Sequence, residues 1–405
     1  MSAAGGIPFE ERAAALDAAD PLSSHVDRFV RNAGTVYLDG NSLGPLQHAV
    51  QERMRTVIAD EWGTGLIASW KAGKWLDLPT RTASRIAPLL GVQKENVTVC
   101  DSTSVNLFKL IAAAWQRRQG RTDILVESTN FPTDLYIASG AASLLGARIR
   151  QFDTTDELLF SLDDATAVVL LTHVDFRTGA ALDIPAVTAE IHAQGGRVIW
   201  DLSHTAGVFP LALEDWDVDF AVGCGYKFLN GGPGAPSYIY CSPQMLPAVQ
   251  NALPGWWGHA APFAMSPHYE AHPDILRFQT GTPPILSLSA LHEALAIWEN
   301  VDLPAVRSKA EALSSLFIEV VESDPDTVLC CVSPHDPAQR GAHAAFRHPA
   351  ATPVMEACVA QGVTGDVRPP DIVRFGFAPL ALTHADVVHA ARILLAAAAA
   401  CTRDA

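Results

Sequence analysis

The stretch "DFAVGCGYKFLNGGPGAP", residues 219–236, places Lys227 between two aromatic residues, after an apolar run and before a loop rich in glycine and proline. The chain has only six lysines, and Lys227 is the only one between residues 110 and 308. Apolar neighbours favour the uncharged amine, which can form a Schiff base with an aldehyde. The same context also allows a buried stem whose ammonium group reaches solvent.

The composition favours a protein that binds small molecules. The chain has 405 residues, of which 49% are hydrophobic, enough for two or three core-forming units. Its net charge of −16 disfavours a nucleic-acid or anionic-membrane partner. The seven cysteines are scattered without C-x-x-C spacing, and no HExxH motif occurs, so we expect reduced thiols, a cytoplasmic location and no metal site.

Neither end of the chain predicts a membrane segment. The beginning, "MSAAGGIPFEERAAALDAAD", lacks the basic start and apolar core of a signal peptide. The alanine-rich end, "AARILLAAAAACTRDA", is too short for a span and is expected to form a terminal helix.

The middle of the chain alternates short β-branched runs with helical stretches. The predicted strands are "NVTVCD", "DILVES", "TAVVLLTHV", "RVIWDLSH", "DFAVGCG" and "PSYIYC". Helical periodicity between the first four predicts βαβ units, a mostly parallel sheet and functional residues at strand ends. After about residue 285 the pattern changes to mixed helices and strands. We predict residues 1–60 as a segment packing with a small domain, 61–285 as a large domain and 286–405 as the small α+β domain.

Polar or aromatic residues follow several predicted strands. Asp201 ends "RVIWD", where a carboxylate could pair with the protonated ring nitrogen of pyridoxal phosphate, although bonding to loop amides is its more ordinary role. Thr103 and Ser104 begin a helix, so they could hold a phosphate or simply cap the helix. Phe131, in "NFPTDLY", could stack on a cofactor ring or belong to the core.

The order of these features resembles that of the fold-type I pyridoxal-phosphate enzymes, and within them the kynureninase family. The similar blocks, in that family's order, are "LDGNSLGPL" (38–46), "FPTDLY", "WDLSHTAG", "GYKFLNGGPGAP", "GWWGH" (255–259), "GTPPIL" (281–286) and "VRFGFAPL" (373–380). The resemblance implies an α/β fold with a large domain around a mostly parallel seven-stranded sheet and a smaller α+β domain. It also implies pyridoxal 5′-phosphate as cofactor and a homodimer with a shared active site.

The resemblance assigns roles to individual residues. Lys227 would bind the cofactor as a Schiff base, Asp201 would pair with its pyridine nitrogen, and Phe131 would stack on its ring. The other implied cofactor contacts are Thr103, Ser104 and Tyr226 at the phosphate, Asp134, Thr172 and His204 around the ring, and Trp256 and Thr282 at the neighbouring subunit's phosphate.

On the substrate side, the resemblance implies that Arg374 clamps the α-carboxylate, a role suited to a planar bidentate donor. Taken alone, Arg374 would be assigned to a structural ion pair. Asn41 and Ser42 are candidates for contacting the aromatic amine, together with a tryptophan-rich segment whose Trp62 and Trp70 are more typical of a core.

The implied reaction is hydrolysis of L-kynurenine, or its 3-hydroxy form, to anthranilate or 3-hydroxyanthranilate and L-alanine, within tryptophan catabolism and NAD biosynthesis. Lys227 would be the general base and Tyr226 the candidate proton donor. The sequence leaves the choice between the two substrates open.

Two other classes of protein fit the sequence less well. A cysteine desulfurase needs a nucleophilic cysteine on an exposed mobile loop, whereas Cys330 and Cys331 lie in "TVLCCV", a predicted strand. A non-catalytic cofactor sensor fused to a DNA-binding module is disfavoured because no basic helix-turn-helix segment precedes the cofactor domain.

Overall fold

The computed structural model describes residues 7–117 and 120–403. The first six residues of the predicted N-terminal segment and the last two of the predicted C-terminal helix lie outside that range. The α-helices are α1 Phe9–Ala19, α2 His48–Thr56, α3 Ser69–Ala72, α4 Leu78–Leu90, α5 Thr103–Trp115, α6 Pro132–Leu145, α7 Thr155–Ser161, α8 Ile184–Ala193, α9 Ile285–Ala294, α10 Leu303–Glu322, α11 Ala351–Ala360 and α12 His384–Arg403. The strands are β1 Val36–Tyr37, β2 Val97–Cys100, β3 Asp123–Glu127, β4 Arg148–Phe152, β5 Thr166–Thr172, β6 Arg197–Asp201, β7 Phe220–Gly223, β8 Ser237–Cys241, β9 Cys330–Cys331, β10 His343–Arg347, β11 Val363–Thr364, β12 Asp366–Arg368 and β13 Ile372–Gly376.

A seven-stranded sheet with the order β2-β8-β7-β6-β5-β3-β4 forms the centre of the large domain. Only β8 runs antiparallel to its neighbours, so β2 to β7 all point the same way. The predicted fold class, α/β with a mostly parallel sheet, is confirmed. The sequence pattern missed β4, "RIRQF", because an edge strand with two arginines lacks the apolar run that reveals a buried strand.

Two apolar cores cover the two faces of this sheet. Helices α5 and α6 pack on one face, where Leu107, Ile111 and Ala138 are buried. Helices α4, α8 and α9 contribute to the core on the other face. Both faces being covered explains why the central strands are continuous apolar runs rather than alternating ones.

The C-terminal part is built around a four-stranded antiparallel sheet with the order β12-β13-β10-β9. The N-terminal segment adds to it: β1 pairs in parallel with β11, and Ala13 of α1 joins the core formed by α10, α11 and α12. The division at residue 286 remains a proposal, since α9 buries Leu288 and Leu291 in the large-domain core.

Within the described residues, one helical stretch, His384–Thr402, is long and apolar enough to cross a membrane by length and composition alone. It is longer than the sequence pattern suggested. Its Val387, Ala391 and Leu394 are fully buried against the other helices of the C-terminal core. Core helices of globular domains have the same composition, and this packing gives α12 that structural role.

Candidate active site

Five strands of the large sheet end at the same edge, and the residues that follow them meet in one cavity of about 280 Å³. This convergence follows from the common direction of β2, β3, β5, β6 and β7. The lining residues are Asn41, Ser42, Thr103, Ser104, Phe131, Thr133, Asp134, Thr172, Phe176, Asp201, Ser203, His204, Tyr226, Lys227, Arg368 and Arg374. All of the predicted site residues except Trp256 and Thr282 therefore line this cavity.

Lys227 follows β7, and its amine reaches the floor of the cavity. Its Nζ lies 3.1 Å from His204 Nε2 and 6.0 Å from the centroid of the Tyr226 ring. The loop of residues 38–46 fixes the lysine's main chain, because Gly44 N–H donates to Tyr226 O at 2.8 Å. A Cβ at Gly44 would stand 2.1 Å from Lys227 O, so only glycine permits this approach.

His204 links the lysine to the N-terminal segment. Its Nε2 lies 3.1 Å from Lys227 Nζ and also 3.1 Å from Asn41 O. Burial, together with the charge of Lys227, holds the pKa of His204 well below its usual value, so the ring is neutral. One ring nitrogen cannot both accept a bond from Lys227 and donate one to Asn41 O, so the tautomer of His204 decides which of these two contacts is a hydrogen bond.

Two buried carboxyl groups face each other beside the lysine. Burial raises the pKa of Asp134, and the charge of Asp201 raises it further. Burial also raises the pKa of Asp201, although its Oδ1 accepts a 2.7 Å bond from Ser203 N–H and Lys227 offsets part of the cost. Among the described residues, Asp134 Oδ2 has no hydrogen-bond partner. This pair is therefore suited to a ligand that brings a proton or positive charge.

The start of α5 forms the end of the cavity that is suited to bind an anion. Ser102 is the cap of this helix, since its Oγ accepts from Val105 N–H at 3.4 Å. Thr103 and Ser104 lie within the first turn and are not needed as caps. First-turn N–H groups have no acceptor within their own helix, so with these hydroxyls they can bind a phosphate.

Phe131 covers the cavity as an exposed aromatic side chain. It is 43% exposed, which removes the alternative that it belongs to the core. Its ring meets Phe176 edge-to-face at 5.3 Å, which fixes its orientation. Beneath it, Thr172 Oγ1 donates to Asn130 Oδ1 at 2.7 Å. Phe176 was not found from the sequence because its position depends on the turn after β5.

Arg374, in β13, also lines the cavity and is fully buried. Its Nε donates to Asp366 Oδ1 at 2.9 Å, and its Nη2 donates to Ser42 Oγ at 2.9 Å. Arg374 therefore forms an ion pair with Asp366, as one alternative predicted, and it also lines the cavity, as the predicted contact with a carboxylate requires. Ser42, a predicted contact of the aromatic amine, lies at this arginine instead.

Trp256 and Thr282 lie away from the main cavity. Thr282 lines a second cavity of about 540 Å³, which shares Thr103, Ser104 and Tyr226 with the first. Trp256 packs against Trp257 at 4.8 Å and is 39% exposed. The single chain therefore brings Thr282 near the predicted phosphate end but leaves Trp256 at the surface.

Two other sequence-based expectations have structural outcomes. Trp62, expected in a core, is 54% exposed in the π-helical stretch Val57–Gly65.

Although no metal site was expected, one group of possible metal ligands does occur within the described part of the chain, at the surface of the small domain. It consists of Glu322, Cys331 and His335, and the carboxylate of Glu322 lies 2.9 Å from the imidazole of His335.

Comparison with known proteins gives the class and then the family. A cysteine desulfurase from Escherichia coli matches with a TM-score of 0.78 at 18% identity, covering 93% of this chain and 98% of that one. A cystine C–S lyase solved with cysteine persulfide matches with a TM-score of 0.79 at 18% identity, covering 89% and 98%. At such identity these likenesses show the fold alone, and fold and site together define a pyridoxal-phosphate-dependent enzyme of fold type I.

The relatives in sequence are more specific. A kynureninase from Deinococcus radiodurans is 48% identical over 379 residues, 92% of each chain. One from Pseudomonas fluorescens is 44% identical over 387 residues, covering 94% of this chain and 93% of the relative. Residues 306–394 also match the family model of the kynureninase C-terminal domain. The chain belongs to the kynureninase family, whose members are pyridoxal-phosphate-dependent hydrolases.

The residues of the cavity fit pyridoxal 5′-phosphate. Its phosphate suits the start of α5, and its protonated pyridine nitrogen suits the buried Asp201 and the unpartnered oxygen of Asp134. Its aldehyde requires an amine, which Lys227 supplies within the same cavity. The donor set therefore matches the phosphate, the pyridine nitrogen and the aldehyde of the cofactor.

Proposed function

We propose that this chain is a homodimeric, cytoplasmic enzyme that hydrolyses L-kynurenine to anthranilate and L-alanine in tryptophan catabolism and NAD biosynthesis. The observation that carries the proposal is that relatives named kynureninase are 44–48% identical to this chain over more than nine-tenths of its length. Overall, one water adds to the γ-carbonyl carbon, the Cβ–Cγ bond breaks, and Cβ gains a proton. Anthranilate carries the new carboxylate and alanine retains the amino group.

When bound, pyridoxal phosphate supplies an electron sink for the substrate carbons near its aldehyde. Lys227 would hold the cofactor covalently at rest, and its amine would move the proton at the substrate Cα. Asp201 would keep the pyridine nitrogen protonated, since a buried carboxylate gains most from a charged donor beside it. His204 would accept a bond from Lys227 when the amine is charged and so help it to hold a proton.

Tyr226 is proposed as the proton donor at Cβ. Burial, then the charges of Cys224 and Asp201, raises the pKa of this phenol, so it stays protonated at neutral pH. Its ring lies beside Lys227 and borders both cavities. Asn41 remains a candidate for contact with the aromatic amine, and Arg374 for the α-carboxylate.

The homodimer is proposed because two predicted phosphate contacts, Trp256 and Thr282, do not line the cavity of their own chain. Trp256, expected at a phosphate, is at the surface, beside the exposed Phe263. In a homodimer, Trp256 and Thr282 of each subunit would reach the phosphate bound by the other. Mixing Lys227→Ala subunits with Trp256→Ala subunits tests this, since shared sites would regain activity that neither variant has alone.

The reaction is tested by adding L-kynurenine to the cofactor-loaded enzyme and measuring anthranilate fluorescence and alanine in equal amounts. Specificity constants for L-kynurenine and its 3-hydroxy form would identify the preferred substrate, which depends on how one hydroxyl is accommodated. Release of sulfide from cysteine without anthranilate would instead support a desulfurase. That rival is disfavoured because Cys331 is half-buried in β9, although Cys330 beside it is exposed.

A further inference from the structure

Arg374 and Arg368 form a pair of guanidinium groups held by one carboxylate at the end of the cavity. Asp366 Oδ2 accepts from Arg368 Nη2 at 2.6 Å and from Arg374 Nη2 at 2.5 Å. Arg374 Nη1 also donates to Phe176 O, and its Nε to Asp366. All three guanidinium nitrogens of Arg374 therefore already have acceptors inside the chain.

Arg368 uses its hydrogen-bonding capacity less completely. Its Nη2 bonds to Asp366 and, at 3.2 Å, to Ser42 Oγ. Its Nε is buried and has no acceptor among the residues that the structure describes. The side chain lines the cavity with its guanidinium carbon 5.9 Å from the Phe176 ring centroid. An unpartnered buried donor is unfavourable, and a bound anion would satisfy it.

The charges around Arg368 and Arg374 are also compatible with a bound anion. Two guanidinium groups face Asp366. Burial by itself would raise the pKa of Asp366, but the hydrogen bonds and charges of Arg374 and Arg368 lower this pKa overall, so Asp366 is ionised. The nearby Asp39 is the weaker compensating charge, because burial and Asp366 raise its pKa to about 6. The incoming carboxylate would favour protonation of Asp39 and keep the cluster near neutrality.

We propose that Arg368 shares the substrate's α-carboxylate with Arg374, offering its unpartnered Nε edge, while Asp366 stays bound to both guanidinium groups and sets their spacing. This inference rests on the proposed function, because it takes the ligand to be an α-amino acid. It makes Arg368 a substrate-binding residue and Asp366 a positioning residue. Recognition then depends on two guanidinium groups rather than on Arg374 alone.

The test compares two amines that differ only in the carboxylate. Cofactor-loaded Arg368→Met is titrated with L-alanine and with ethylamine, and binding is followed by the cofactor's visible absorption. We expect affinity for L-alanine to fall about tenfold or more and affinity for ethylamine to stay within about twofold, because a charge-assisted bond is lost only with the first ligand. Arg368→Lys, which keeps the charge, should recover part of the loss.

The matched control is Arg177→Met. Arg177 lies 5.2 Å from the same Phe176 ring and donates to Thr129 O at 2.8 Å, but it does not line the cavity. Both of its affinities should be unchanged. Equal losses for alanine and ethylamine with Arg368→Met, or no loss for alanine, would overturn the inference. A wild-type enzyme that prefers alanine over ethylamine but makes no anthranilate would instead refute only the proposed reaction.

Discussion

The acidic residues at the two ends of the cavity differ in how well their charges are compensated within the chain. At the cofactor end (Asp134, Asp201, His204 and Lys227) burial raises the pKa of both carboxyl groups, and one oxygen has no partner among the described residues. At the carboxylate end (Ser42, Asp366, Arg368 and Arg374) the acid is ionised and bonded to both arginines.

The difference indicates how each end meets its ligand. At the cofactor end a positively charged group would offset the cost of burying the carboxylates of Asp134 and Asp201. At the carboxylate end both guanidinium groups are already bonded to Asp366, so the ligand must share them with Asp366 and finds a donor without an acceptor among the described residues only at Arg368 Nε. The first suits a resident cofactor and the second suits a substrate that must leave after each turnover.

The largest effect should follow from removing the amine of the cofactor end. Lys227→Ala should lower the rate of anthranilate formation by about 10³-fold or more, since acid–base catalysis alone contributes on the order of 10²–10⁴-fold. Lys94→Ala is the control, because Lys94 is exposed and pairs only weakly with Glu95 at 3.9 Å. A Lys227 variant within tenfold of wild type would remove the lysine from the mechanism.

Asp201→Asn should have the next largest effect. It keeps the shape but removes the charge that holds the ring proton, so kcat should fall about 10²- to 10³-fold, as for loss of one preorganised electrostatic group. Steady-state kinetics of the cofactor-saturated variant measure this. Normal kcat would mean that Asp134 alone can perform the role.

Arg374→Lys tests the carboxylate end and should act mainly on KM. Lysine cannot reproduce the bidentate contact with Asp366, so KM for kynurenine should rise about 10- to 100-fold, because charged hydrogen bonds contribute about 1.5–3 kcal/mol. The free energy of unfolding should fall too, since the half-buried Asp366 loses its bidentate partner. A fall in kcat with unchanged KM would contradict this assignment.

Asp134→Asn should stabilise the cofactor-free protein while impairing cofactor binding. The folded-state pKa of Asp134 is raised, so folding becomes less favourable as pH rises above the unfolded value of about 3.9 towards the folded pKa. Asparagine removes that cost. The gain should be absent in acid and reach about 2 °C or more in melting temperature at neutral pH. Thermal melts of the two apo-proteins across pH measure it, and equal stability at neutral pH would contradict the electrostatic contrast.

The smallest effect should come from the vicinal cysteines, outside both ends of the cavity. Burial raises the pKa of the Cys331 thiol to about 11, so it is protonated and poorly nucleophilic at neutral pH. Cys330→Ser and Cys331→Ser should therefore change kcat/KM by less than about twofold, as surface substitutions usually do. A large loss in either variant would revive a thiol-based reaction.

The sequence by itself determined the cofactor end. Asp201 ends one apolar strand and Lys227 follows the next, and parallel strands bring their carboxyl ends to one edge whatever the loops do. The same logic located Thr103 at a helix start. Thr172, at the end of β5, was implied by the family resemblance alone. Burial, which sets the pKa directions of Asp134 and His204, could not be computed from these patterns, because it depends on which side chains close the cavity.

The family resemblance implied Arg374, but only the tertiary structure placed Asp366 and Arg368 beside it. Arg368 and Asp366 lie on a three-residue strand with no apolar pattern, and they meet Arg374 because β12 pairs antiparallel with β13. Ser42 reaches them from a segment more than 300 residues away in sequence. A local sequence pattern reveals a strand or helix when its own apolar residues require burial. A site assembled by long-range strand pairing and ion pairs has no such local pattern and forms only once the chain has folded.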